Sequence, residues 1–166
     1  DSSLPKTNFN GGYNTFTGLG DGTAGPARTW LKLNLGGIPR NAKIITATLE
    51  MGAYVVGDGY NLITYEFQKC SDNSWGGSTI TWNNAPNASM VGSPTTIFSA
   101  TEPKGQIFQF DIKTDVQAAV AGDRLLTYRV KNVNEGADTS FMAMYTFEEY
   151  LDFSPPYPNI NFSVTY

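Results

Sequence analysis

"RTWLKLNLGGIPRNAKIITATLEM", residues 28–51, decides the fold. Its first eight residues alternate, with Leu31, Leu33 and Leu35 on one face and Trp30, Lys32 and Asn34 on the other. A Gly-Gly-Ile-Pro turn follows, and the alternation resumes with Ile45, Ala47, Leu49 and Met51 against Thr46, Thr48 and Glu50. A period of two is that of a β-strand with one face buried, and glycine and proline punctuate the ends of strands.

The same period recurs along the chain. "NLITYEFQK" (61–69) sets Ile63, Tyr65 and Phe67 on one face, "QIFQFDI" (106–112) sets Phe108, Phe110 and Ile112, and "LLTYRVKN" (125–132) sets Leu126, Tyr128 and Val130. "SFMAMYTFEE" (140–149) suits a strand with either face inward, and "NINFSVTY" (159–166) aligns Ile160, Phe162, Val164 and Tyr166. Between these lie turn-rich stretches such as "GLGDGTAGP", "VGDGYN" and "NEGAD". One helix is expected, over "TDVQAAVAGD" (114–123), with Thr114 or Asp115 as cap and Gly122 as stop. In "STITW" (78–82), Ile80 and Trp82 share a face, so a further short strand is expected there, with Trp82 in the core and Trp75 packed over one end. Seven or eight strands with long, uneven loops predict an all-β fold, an antiparallel, jelly-roll-like sandwich with one short helix, spanning residues 1–166 as a single domain.

Composition excludes several functions. The chain of 166 residues holds no histidine, so histidine-dependent triads, dyads and zinc sites are absent. Its one cysteine, Cys70, makes neither an internal disulfide nor a multi-cysteine metal site. A net charge of -4 with scattered basic residues is wrong for a phosphate backbone, so no nucleic acid partner is expected. No apolar stretch reaches the length of a membrane span, so no membrane insertion is expected either. The chain opens at Asp1 without an initiator Met, which reads as a processed or excised piece. Low charge together with many glycines and aromatics fits a secreted or cell-surface domain.

"SWGGSTITWNNAP" (74–86) resembles the Trp-x-x-x-x-x-Thr-Trp-Asn-x-x-Pro signature of the DNRLRE-type domain, carbohydrate-binding module family 96. "SSLPKTNFNGG" (2–12), residues 28–51, "FQFDIKTDVQAAVAGD" (108–123) and "PNINFSVTY" (158–166) are similar to further segments of that family, in its order. The resemblance implies a β-sandwich carried by secreted lyases, hydrolases and surface proteins, and binding of acidic glycans such as alginate. Two departures stand out. The family's first strand precedes the segment at which this chain begins, which suggests a sheet edge open to strand addition and self-association. Ala119 stands where many members carry Trp, and the hexapeptide that names the family does not occur.

A polysaccharide partner needs a flat aromatic and polar or charged readers. Trp30 leads as ligand-binding platform, pointing away from the leucine face beside Arg28 and Lys32, with Tyr54 and Tyr60 flanking the "VVGDG" turn as further candidates. Arg28, Lys32, Arg40 and Lys43 supply cations for uronate carboxylates. No catalytic residue is assigned. Glu148 and Glu149 are adjacent and would face opposite ways on a strand, unlike a glycosidase pair. No cofactor is required, though Asp21 in "GDGTAG" and Asp58 in "VGDGYN" would suit a structural calcium. These residues predict a non-catalytic extracellular module. The other reading is a fibre, appendage or virion subunit built by strand addition.

Overall fold

The computed structural model describes residues 17–20, 28–56, 63–76, 79–81, 83–86, 89–92, 96–100, 106–133, 141–144 and 161–166. The elements in chain order are β1 (Thr17–Gly20), β2 (Arg28–Asn34), β3 (Thr46–Val56), β4 (Ile63–Cys70), β5 (Thr96–Ala100), β6 (Gln106–Asp111), α1 (Lys113–Ala121), β7 (Leu125–Asn132), β8 (Phe141–Met144) and β9 (Asn161–Thr165). One sheet runs β1-β8-β3-β6, and the other runs β2-β7-β4-β5. All pairs are antiparallel. Strand β9 adds to β3 at Thr46–Glu50, end to end with β8, which takes Ala53–Val56 of the same edge. The pairs β1·β8, β2·β7, β3·β6 and β4·β5 nest inside one another. A long hairpin of four strands out and four back, rolled into two sheets, is a jelly roll.

Alternation works as expected on the inner faces. Leu31 from β2, Tyr65 and Phe67 from β4, and Leu126, Tyr128 and Val130 from β7 meet Ala47, Leu49 and Met51 from β3 and Phe110 from β6 in one cluster. Phe67 links the layers: its ring stacks on Phe110 of the opposite sheet at 4.2 Å and on Tyr128 of its own at 4.3 Å. Each such side chain contributes about 1.5–3 kcal/mol by leaving water.

The helix closes one end of the sandwich. Val116 and Val120 are fully buried among Leu35, Ile38 and Ile44 of the β2–β3 connection. The Gln117 side chain pins that connection, accepting the Ile44 N–H at 2.9 Å and donating to the Ala42 carbonyl at 3.2 Å. Its start differs from expectation. The helix begins at Lys113, so Thr114 and Asp115 lie within the first turn, and Ile112 at the cap offers no side-chain bond. Asp111 instead accepts the Lys113 N–H at 3.0 Å. Asp115 is thereby released for other work, binding Lys69 Nζ at 2.9 Å and accepting the Tyr128 hydroxyl at 2.5 Å. Gly122 ends the helix as expected.

Three further expectations are corrected. Residues 79–81 and 83–86 form turns and no strand. Ile45 stands 56% exposed just before β3, and Tyr166, assigned to the inner face of the last strand, is 54% exposed. Trp82 lies outside the described residues.

Candidate functional site

The outer face of the second sheet carries the leading sequence candidates. Register places Arg28 opposite Lys131, Trp30 opposite Arg129 and Lys32 opposite Thr127. On the next strand Glu66, Gln68 and Cys70 complete these rows. Trp30 is not an open platform: it is 4% exposed. Residues from 75 to 90 cover it: Trp30, Cys70 and Ile80 form a second buried cluster, with Trp75, Ala85 and Met90 against it. Trp75 meets Trp30 edge-on at 6.3 Å and 62°, a favourable quadrupole arrangement. The Trp75 indole N–H finds the Thr127 hydroxyl at 3.2 Å.

Local polar bonds shape this cover. The Thr81 N–H donates to Asn84 Oδ1 at 2.5 Å, the Asn84 N–H returns to Thr81 Oγ1 at 3.2 Å, and Asn84 Nδ2 reaches the Thr79 carbonyl at 2.9 Å. Such side chain-to-backbone bonds compete with a ladder and here replace it. A Cβ at Gly76 would stand 2.9 Å from Thr79 Oγ1 and would have to turn that hydroxyl away from its bond to the Gly76 carbonyl. The segment returns through a bridge between Cys70 and Met90 and a bond from Gln68 Nε2 to the Gly92 carbonyl at 2.7 Å. Of "SWGGSTITWNNAP", Trp75, Ile80 and Ala85 pack over Trp30 and roof the sheet there.

The other sequence candidates fare differently. Arg28 lies part-exposed on the same outer face as Trp30. Lys32 is turned onto the roof, with its ammonium 4.4 Å from the Trp75 ring centroid and bonded to the Asn73 carbonyl at 2.8 Å and to the Trp75 carbonyl. Tyr54 is in β3 opposite Ala143, and its side chain is not described. Tyr60, Asp21, Asp58, Glu148 and Glu149 lie outside the described residues. Among the described residues no group of three Asp, Glu or Cys side chains gathers as a metal site.

A cleft of about 270 Å3 opens elsewhere, between the C-terminal half of α1 and the end of β4. Ala118, Ala119, Gly122, Leu125 and Leu126 give it small and apolar surfaces, while Lys69, Ser71, Asn73 and Asp123 supply polar groups. The Asn73 amide crosses one wall, donating to Asp123 Oδ2 at 2.9 Å and to the Leu125 carbonyl at 3.2 Å. Asp123 also accepts the Leu125 N–H at 3.1 Å. Those bonds, Asn73 first, hold its carboxyl below the ordinary carboxylate range. Arg40 reaches the rim, donating to the Gly122 carbonyl at 2.7 Å. Cys70, buried beneath, has its thiol pushed up by desolvation.

Chemically, this arrangement can hold a polar ring: apolar surface for C–H faces, with a carboxylate, a hydroxyl and an ammonium for hydroxyl groups. Among the described residues that line it, Asp123 is the one carboxylate, with its acidity raised by its hydrogen bonds, so no pair of carboxyls faces the cleft there. Sequence reasoning missed the cleft because its lining comes from two distant segments. Its single signal was Ala119, small where the resemblance implies Trp.

The described residues thus form a jelly roll with one roofed face and one cleft of mixed polar and apolar lining. The model of carbohydrate-binding module family 96 matches residues 1–149, and the chain belongs to that family. Families of this kind are non-catalytic binding modules, in accord with the histidine-free composition. A search of curated proteins found no match to the chain.

Proposed function

We propose that the chain is an extracellular module that holds a polysaccharide at the α1–β4 cleft and leaves it intact. The observation that carries this reading is the union, in a carbohydrate-binding family, of an apolar-lined cleft with Asp123, Ser71, Asn73 and Lys69 on its walls. Lys69 in the lining and Arg40 at the rim support a ligand that bears carboxylates, such as a uronate chain. The cleft's size suits a single sugar unit or chain end, with the rest of the polymer running over the surface.

Affinity electrophoresis in gels containing alginate, pectin or a neutral β-glucan tests this. The native chain is retarded by at least one polymer, whereas Ala119→Trp, which fills the cleft, and Asp123→Ala run freely while keeping the native circular dichroism spectrum. Retardation of Ala119→Trp equal to that of the native chain would remove the cleft as the site. A second reading, an assembly subunit, is supported by β2, which among the described residues pairs only with β7. No retardation by any polymer, together with concentration-dependent association in sedimentation, would favour it.

A further inference from the structure

We propose that Lys32 is a positioning residue: from the roofed face of the sheet it fixes the wall of the α1–β4 cleft, and so sets sugar affinity without touching sugar. The proposal rests on the cleft reading above. Lys32 leaves β2 on the outer face opposite Thr127. A lysine ammonium has three donors and no acceptor. Two of them go to the backbone carbonyls of Asn73 and Trp75, and the charge lies over the Trp75 ring. Little of it remains for a ligand. Lys32 is absent from the cleft lining, yet both residues it grips adjoin Ser74, whose own N–H and hydroxyl are taken by Asp72 at 2.7 and 2.6 Å. The segment 72–75 is thus held on both sides.

What this fixes is the place of one residue, Asn73. Asn73 commits both N–H bonds to Asp123 and Leu125, across the cleft wall. Its Oδ1 is meanwhile buried with no partner among the described residues. The amide faces its two acceptors with its N–H groups, and the unmet oxygen is a cost it bears to stay there, because burial of an unmet acceptor is unfavourable. Its place against the wall follows from the backbone at 73, which Lys32 holds by the carbonyl. A relay of Lys32, Asn73 and Asp123 therefore joins the covered face to the cleft. Preorganised polar groups bind more tightly than groups that must be ordered on contact.

The test uses Lys32→Met, with Lys32→Gln if the first fails to fold and Lys32→Arg as the conservative variant. The first readout needs no sugar. In the native protein the side-chain amide resonances of Asn73, which donates to Asp123 Oδ2 at 2.9 Å, are expected to follow the titration of that carboxyl. The other charged groups nearby are Lys69 across the cleft, Arg124 beside Asp123, Arg40 on Gly122, and Asp72 next to Asn73. The Asp72 carboxyl is also held low, by its bonds to Ser74, and feels the Lys32 charge directly, so the titration is repeated in Asp72→Asn to isolate Asp123. In Lys32→Met the Asn73 resonances move, and the Asp123 midpoint rises toward the ordinary value. The second readout is retardation in alginate gels, well below the melting temperature of each variant. Here Lys32→Met and Lys32→Gln bind about tenfold more weakly, near 1.4 kcal/mol, and Lys32→Arg recovers most of that loss. Unmoved Asn73 resonances, or native affinity in a variant whose cleft wall has loosened, would overturn the proposal. Should Asp123→Ala itself bind normally, the cleft reading falls instead, and the resonance experiment still decides what Lys32 positions.

Discussion

Replacing Trp30 by alanine separates two ways in which an aromatic on a sheet face matters. As a sugar platform, Trp30 would be lost with little effect on stability. The structure makes it the base of a roof, buried at 4% and shared with Cys70, Ile80 and Trp75. Removing a buried Trp costs about 3–5 kcal/mol. Of this, about 0.5–1.5 kcal/mol belongs to the edge-on contact with Trp75. At about 2–4 °C per kcal/mol for a chain of this length, the melting temperature falls by roughly 10 °C. The native state survives, since stabilities of about 5–15 kcal/mol are typical. Urea unfolding followed by circular dichroism gives the free energy, and Cys70 gives the location. Its thiol is 1% exposed and its pKa is raised by burial, so it resists a thiol reagent in the native protein. Trp30→Ala should open the roof and speed labelling at Cys70 under conditions where the sandwich remains folded. A loss under 1 kcal/mol with Cys70 still protected would refute the anchoring role.

Phe67→Leu keeps bulk but removes both stacked contacts, to Phe110 and Tyr128, and should cost about 1–3 kcal/mol in urea unfolding. Tyr128→Phe deletes the hydroxyl that Asp115 accepts at 2.5 Å and should lower stability by about 1.5–3 kcal/mol, checked the same way. Asp123 has a folded pKa below its unfolded value of about 3.9. Its contribution is therefore complete above the unfolded value and lost as pH falls through the folded one. Stability of Asp123→Asn, measured from pH 6 down to pH 2, should decline less steeply than that of the native chain.

Strands with an apolar residue at every second place were legible, because a half-buried strand must show that period. Thus β2, β3, β4, β6, β7 and β9 could be read from residues such as Leu31, Leu49, Phe67, Phe110, Tyr128 and Val164. Strand β1, "TGLG", has a single large apolar residue and reads as loop, yet backbone pairing with β8 makes it a strand. "STITW" fails in the opposite sense. Its alternation is genuine, but Thr81 and Asn84 satisfy each other's backbone and close a turn. Trp30 marks the limit of the period rule. Alternation gave its face correctly, but the cover comes from Trp75, far along the chain, and no local pattern encodes that. The cleft was illegible for the same reason, since Lys69 and Asn73 meet Ala119 and Asp123 only after folding.

The nested pairing has a consequence during synthesis. Strand β2 ends at Asn34, and its ladder partner, β7, begins only at Leu125. At about 5–20 residues per second on the ribosome, Leu31 and Leu33 wait on the order of 5–20 s for the strand beside them. In that interval β4 can find β5, and then β3 can find β6, so the middle of the roll closes before its ends. Strand β2, made before β3 to β7, is thus sheltered later than β3 to β6. Yield in a foreign host should therefore depend on holding β2 out of trouble, and slower translation should harm this chain more than its modest size suggests.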